Sequence, residues 1–347
     1  MAEMASGTPL IDFNPEALRA VLADGFGAER HFRVERISGG QSNPTYFVDW
    51  GKAQLVLRKQ PNGPIVKGAH AVDREYRVLR ALFPTDVPVP EPVHYHADAQ
   101  ALGTPFYLMK RVAGRVLEEA SMAGAARKER RDLWMAVADA LAALHSVVPG
   151  DVGLDDYGKP GNYFERQISR WTRQYRASNH GAIPALDVLC EWLPEHSPPD
   201  DGLVCLAHGD FRVGNMLFHP SRPEVAAILD WELSTLGHPL ADLGFCCMPW
   251  HTSPDEYGGI LGLDHEALGL PDEKEFVARY SEKVPFSAMI LPFHKAFALF
   301  RFAVIFVGIA DRARAGNAAD ARAAALAPLA ERFAIRALEV IAKGRGG

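Results

Sequence analysis

Between residues 31 and 60, apolar and polar positions alternate in short runs. HFRVERI leads into the turn-rich SGGQSNP, then TYFVDW, the Gly51-Lys52 turn and AQLVLRKQ. A period of two predicts half-buried strands, and the two runs joined at Gly51-Lys52 predict an antiparallel hairpin. After a loop containing Pro61, Gly63 and Pro64, the period becomes helical in AVDREYRVLRALF, with Val72, Tyr76, Leu79 and Phe83 on one face. VPVPEPV cannot be helix interior because proline lacks an amide donor, and TPFYLMKRV reads as one more strand. Strands around one helix thus predict a small β-rich lobe over residues 1–110.

Beyond Gly114 the texture is helical. ARKERRDLWMAVADALAALHSV carries the stripe Leu133, Val137, Leu141 and Leu144, and further helices are predicted over 163–177, 272–283, 288–312 and 318–343. Strand or loop texture returns in LVCLAHGDFRVGNMLFHPSRPEVAAILDWELSTLGHPLADLGF. The second predicted domain, 111–347, is a mostly helical lobe with this non-helical insert, and the fold class is α+β.

Composition narrows the classes. The chain is 48% hydrophobic and 23% charged with a formal net charge of -6, and its 37 basic residues are dispersed. No basic stripe for nucleic acid is formed. The N-terminus lacks a basic segment followed by an apolar run, so no signal peptide is predicted. The most membrane-like stretch, 286–310, is interrupted by His294, Lys295 and Arg301 and reads as a buried helix, so no membrane partner is expected. Four cysteines without zinc-type spacing suit a reducing, cytoplasmic setting.

The segment that carries chemistry is His208-Gly209-Asp210-Phe211-Arg212-Val213-Gly214-Asn215, an H-x-D-x-x-x-x-N arrangement, followed by Asp230 at the end of the apolar run Val225 to Leu229. Phosphoryl transfer needs one carboxylate to orient an acceptor hydroxyl and take its proton. It also needs a second carboxylate and a neutral oxygen to hold Mg²⁺ against phosphates.

HGDFRVGNMLF, ILDWE and GHPLADLGF together resemble the catalytic core of the aminoglycoside phosphotransferase (APH) family, within the wider choline-kinase and protein-kinase-like group. The likeness runs from SGGQSNPTYF to the C-terminal helices. Within the family the chain resembles the kinase-like domain that precedes the dehydrogenase in acyl-CoA dehydrogenase family members 10 and 11, through ISGGQSNPTYFV, VLRKQP and AHAVDREYRVLRAL. It would be a stand-alone version of that domain.

The resemblance implies a protein-kinase-like two-lobed fold, ATP and Mg²⁺ as cofactors, and a small-molecule hydroxyl acceptor. Asp210 would be the catalytic base, with Asn215 and Asp230 as the Mg²⁺ ligands. His208 would brace the loop, and Asp242 would anchor it from the next helix. Arg212 matches the position of a phosphate-contacting lysine in protein kinases. Gly39, Gly40, Ser42 and Asn43 stand where a kinase covers the phosphates, although the three-glycine pattern is absent. The V-A-I-K pattern laid onto LVLR puts Val56 under the adenine and Arg58 at the lysine position, with Lys59 as the alternative. Glu75 lies on the buried side of its helix and so needs a cationic partner, for which Arg58 is the candidate. Met109 would begin the linker that contacts adenine. A hydroxyacyl-CoA or related acyl metabolite is the acceptor this branch suggests. A pseudokinase, or a regulatory partner of a separate acyl-CoA dehydrogenase, is the alternative.

Overall fold

The alternating segments form a five-stranded antiparallel sheet in the order β1-β2-β3-β5-β4. The structure is a computed structural model that describes residues 11–37, 43–63, 70–287, 289–314 and 326–344. Its chain divides into two units, residues 1–113 with 227–232, and residues 114–226 with 233–347.

The first unit runs α1 (Pro15–Phe26), β1 (Phe32–Arg36), β2 (Thr45–Trp50), β3 (Ala53–Lys59), α2 (Val72–Leu82), β4 (Pro92–His96), α3 (Ala99–Leu102) and β5 (Phe106–Lys110). The expectation of one helix is corrected by α1 and the single turn α3. α1 starts where Asn14 Oδ1 accepts from the Glu16 amide at 3.0 Å and Pro15 takes the first turn.

Register decides what each sheet face does. Tyr46, Val48, Leu55, Leu57, Phe106 and Leu108 point to one face and pack with Leu18 and Leu22 of α1. Lys59 shares that face, fully buried, with Nζ 3.3 Å from both carboxylate oxygens of Asp12 and 3.0 Å from Asn62 Oδ1. Cross-strand pairing of Val56 with Phe47 and Met109, and of Arg58 with Thr45 and Tyr107, sets these residues on the opposite face. α2 packs against β4 and β5, with Tyr76 stacked on Tyr95 at 5.7 Å and against Tyr107 at 6.0 Å. Its buried stripe is Val72, Glu75, Val78, Leu79 and Leu82. Phe83, expected in that stripe, is exposed, because it sits just past the last turn. Met109 lies within β5 rather than opening a linker, because its ladder with β3 continues to Lys110.

The second unit comprises β6 (Arg115–Val116), α4 (Arg127–Ser146), α5 (Tyr163–Arg176), α6 (Pro184–Glu195), β7 (Cys205–Ala207), β8 (Met216–Phe218), β9 (Val225–Ile228, whose last residues enter the first unit), β10 (Thr235–Gly237), α7 (Pro239–Cys246), α8 (His265–Leu268), α9 (Glu273–Ser281), α10 (Pro292–Arg314) and α11 (Leu329–Gly344). The helix expected over 318–343 is α11, and residues 315–325 lie outside the described ones. β7 pairs antiparallel with β10, and the core gathers α5, α6, α7 and α11 around α10. α10 is long and apolar enough to cross a membrane, but 78% of its apolar window is packed inside the protein. Trp171 and Tyr175 belong to this core.

Burial holds the Lys59 ammonium below the usual lysine range, opposed by Asp12. Asp12→Ala strands that charge and should cost about 3 kcal/mol. Lys59→Met, which leaves Asp12 with its 2.6 Å bond from the Tyr46 hydroxyl, should cost about 1 kcal/mol. Urea unfolding of the two variants checks the order.

Candidate active site

In the second unit, β7 delivers the chain into the loop 208–215, which is fixed from several sides. The Asp242 carboxylate, fully buried in the first turn of α7, accepts from the backbone amides of His208 at 2.6 Å and Gly209 at 2.9 Å. His145 of α4 stands 3.4 Å from the same carboxylate and is itself hydrogen-bonded to the Tyr280 hydroxyl at 2.7 Å. Burial opposes ionisation of Asp242, yet the donors outweigh it and hold its pKa below the usual aspartate range. Gly209 has φ +82°, and a Cβ there would stand 2.7 Å from the Leu233 carbonyl, so the turn admits glycine alone. Arg301 of α10, buried and flanked by Trp171 and Phe245, donates to the Gly209 carbonyl.

This scaffold aims Asp210. Its amide donates to His208 Nδ1 at 3.1 Å, while its Oδ2 accepts from Asn215 Nδ2 at 2.7 Å. Asn215 Nδ2 also donates to the Asp210 carbonyl at 2.9 Å, which leaves the amide oxygen as the group Asn215 can offer a cation. Arg212 Nε lies 3.5 Å from Asp210 Oδ2, and its guanidinium stands over the Tyr257 ring at 5.6 Å. Gly214 makes room for that guanidinium, since a Cβ would come within 2.7 Å of Arg212 Nη1.

In the first unit, Arg58 gathers three carboxylates. Its Nε lies 2.9 Å from Glu75 Oε2 and its Nη2 2.5 Å from Asp230 Oδ1, with Glu232 also close enough to act on its charge. Glu75 accepts from Asn43 Nδ2 at 2.6 Å and the Tyr107 hydroxyl at 3.1 Å. Burial, with Asp230 and Glu232 nearby, pushes the Glu75 carboxyl up to about 7, although Arg58 pulls the other way. Asp230 is held at φ +64°, a backbone state that non-glycine residues seldom adopt.

The ion pair anticipated between Arg58 and Glu75 is therefore present, whereas Lys59 faces α1 and reaches neither residue. Asn43, expected to face phosphate, spends its amide on Glu75 and, through Oδ1, on His70 Nδ1 at 3.0 Å. Val56 and Met109 are direct register partners. Gly39, Gly40 and Ser42 lie outside the described residues. Sequence reasoning missed Arg301, His145 and Tyr280. Arg301 did leave a trace, as a lone charge inside an apolar helical run.

These features are those of the protein-kinase-like class of phosphotransferases. The chain belongs to the phosphotransferase enzyme family (APH), whose sequence model matches residues 33–276. It is similar to a candidate aminoglycoside phosphotransferase from Ralstonia eutropha, with a TM-score of 0.86 and 42% identity, covering 95% of this chain and 99% of that one. It is 41% identical over 312 residues to acyl-CoA dehydrogenase family member 11 of Gallus gallus, covering 88% of this chain. The chain spans only 40% of the length of that relative. The aminoglycoside phosphotransferase APH(4)-Ia, solved with AMP-PNP and hygromycin B, shares the fold at a TM-score of 0.62 and 16% identity, over 93% of this chain and 98% of its own.

Asp242→Asn places an amide against backbone N–H groups and should destabilise the protein by about 3 kcal/mol. Because the folded pKa of Asp242 is depressed, its contribution is complete above the unfolded value of about 4 and is lost as pH falls through the folded one. Urea midpoints should therefore fall more steeply from pH 5 to pH 3 in the wild type than in the variant (about one titrating group of difference).

Proposed function

We propose that the protein transfers the γ-phosphoryl group of ATP to a hydroxyl of a small molecule. The observation that carries this is the loop in which buried Asp242 and Arg301 hold the backbone so that Asp210 is presented, with its Oδ2 already oriented by Asn215. Family membership supports it, and so does the ATP analogue bound beside hygromycin B in a relative of the same fold.

In this reading the acceptor hydroxyl donates its proton to Asp210 as its oxygen bonds to the γ-phosphorus. The bond from that phosphorus to the bridging oxygen breaks, and ADP leaves with the electron pair. Arg212 offsets charge on the transferred group. Residues 1–110 would serve the nucleotide: Val56 and Met109 flank the adenine, Arg58, steadied by Glu75, holds the α/β-phosphates, and the loop with Gly39, Gly40 and Ser42 covers them. Residues 111–347 would serve the acceptor. Asn215 offers an amide oxygen and Asp230 the carboxylate oxygen that Arg58 does not take, a hard donor set that fits magnesium, and these two residues would hold it. The ion would neutralise phosphate charge when bound.

For the acceptor we favour a hydroxylated acyl compound such as a hydroxyacyl-CoA, supported by likeness to a protein named as an acyl-CoA dehydrogenase. The four described cysteines are buried free thiols, which suits a reducing cytoplasm. One feature favours a second reading, nucleotide binding without turnover, alone or as a regulatory partner of an acyl-CoA dehydrogenase: Arg58 already occupies Asp230 Oδ1 at 2.5 Å.

Phosphorus NMR with Mg·ATP and a panel of 4-hydroxyacyl-CoAs, choline, sugars and an aminoglycoside separates the readings. A phosphomonoester should form with one acceptor. Asp210→Asn should lower its rate by about 10²- to 10⁴-fold while changing Mg·ATP affinity less than about threefold. Tight nucleotide binding with no product from any acceptor would establish the second reading instead.

A further inference from the structure

The second unit holds a cavity of about 830 Å³ bounded by α5, α6, the segment 197–201, the start of α7 and the approach to α10. Spaces of about 300–1,000 Å³ accommodate drug-sized molecules. It is set apart from the catalytic loop by the two-stranded ribbon. β7 enters that loop from its Ala207 end, whereas β10 leaves for His238, on the cavity wall, at Gly237, opposite Cys205.

The walls are mixed: Phe164, Ile168, Leu240 and Leu291 supply apolar surface and Glu165, Arg173, Asp200 and Asp201 supply charge, while Met289 stands 70% exposed among the lining residues. Two histidines also line it, their rings parallel with centroids 6.3 Å apart. His238 is satisfied at both nitrogens: Nδ1 accepts from the Leu240 amide at 3.2 Å and Nε2 donates to Asp201 at 3.2 Å. His294, only 2% exposed, accepts from the Leu291 amide at Nδ1, 2.9 Å away. Burial lowers its pKa to about 3, so the ring is neutral and its proton resides on Nε2. That Nε2–H has no partner among the described residues. His294 lines the cavity, so this donor can be met from the cavity side, by water or by the acceptor group of a bound molecule.

The cavity also touches α10 and the start of α7, the helices that carry the two supports of the catalytic loop. Asp242 follows His238 by four positions on α7, and Arg301 follows His294 by seven on α10. The two helices are in tight contact, since a Cβ on Gly244 would stand 2.6 Å from the His294 carbonyl. A ligand that shifts His238 or His294 therefore acts on the helices that carry the two anchors.

We propose that this cavity is a second small-molecule site, for an uncharged amphipathic compound bearing a carbonyl-type acceptor that His294 Nε2–H bonds, and that occupancy is transmitted to the catalytic loop through α7 and α10. The test uses the whole protein and the neutral fluorescent ketone Prodan. Its emission should shift to the blue with saturable one-to-one binding. The affinity should fall about tenfold or more in Ser169→Trp and Leu291→Trp, which fill the space from accessible lining positions. The ketone-free parent, 2-(dimethylamino)naphthalene, should bind about tenfold more weakly. At saturation the Gly209 amide resonance should move in the wild type and stay still in Ser169→Trp. Non-saturable binding, or binding unaffected by both tryptophans, would overturn the site. Equal affinity for the parent would overturn the role of His294, and an unmoved Gly209 would overturn the coupling. None of these readouts depends on phosphoryl transfer.

Discussion

One ionised carboxylate, sealed from water, fixes the loop that carries the candidate catalytic residues. Asp242 accepts from two consecutive loop amides and stands against a histidine, all within the interior. A buried charge is tolerable only when its surroundings replace its hydration, and here backbone dipoles do so together with the N-terminal turn of α7. The arrangement is reciprocal. The loop amides would be orphaned without the carboxylate, and the carboxylate would be protonated or expelled without them. Asp210 can therefore remain partly exposed and available, because none of its own burial is needed to hold the loop.

The first unit solves a different electrostatic problem. Arginine at position 58 bears one charge but presents several donors in a plane, so it can meet Glu75 and Asp230 through different nitrogens. A lysine would have to divide a single ammonium between them. Tyr107 and Asn43 complete the hydrogen bonding of Glu75, which offsets part of the cost of holding its carboxyl group in a nearly dry site.

Legibility from sequence followed the range over which each residue acts. The 208–215 loop and Asp230 stood out as candidates because phosphoryl transfer would demand those residue types at short, fixed spacing. Glu75 could be read because helical phase alone placed it on the buried side of α2, whereas strand parity put Arg58 and Lys59 on opposite faces and left both open as its cationic partner until the structure paired Arg58 with it. Arg301 could not be assigned, because its partner, the Gly209 carbonyl, lies 92 positions earlier in the chain. Helix α1 was missed because most of the side chains it covers, from Tyr46 to Leu108, come from strands later in the chain. Phe83 was misjudged because periodicity continues in the letters after the helix has stopped. The cavity beside α5 and α6 had no signature at all, since emptiness is a property of packing and not of any residue.

The first unit is not finished by its own stretch of chain. Residues 227–232 return to it late, with the Ile228 amide bonded to the Pro88 carbonyl and Asp230 meeting Arg58 across 172 positions. During synthesis the sheet and α2 can assemble early, but the ribosome must release most of the intervening helical segment before the last strip arrives. Until then the Arg58 side chain has Glu75 beside it but lacks Asp230 and Glu232. The order of translation thus makes closure of the first unit a late event, timed by the growth of the other.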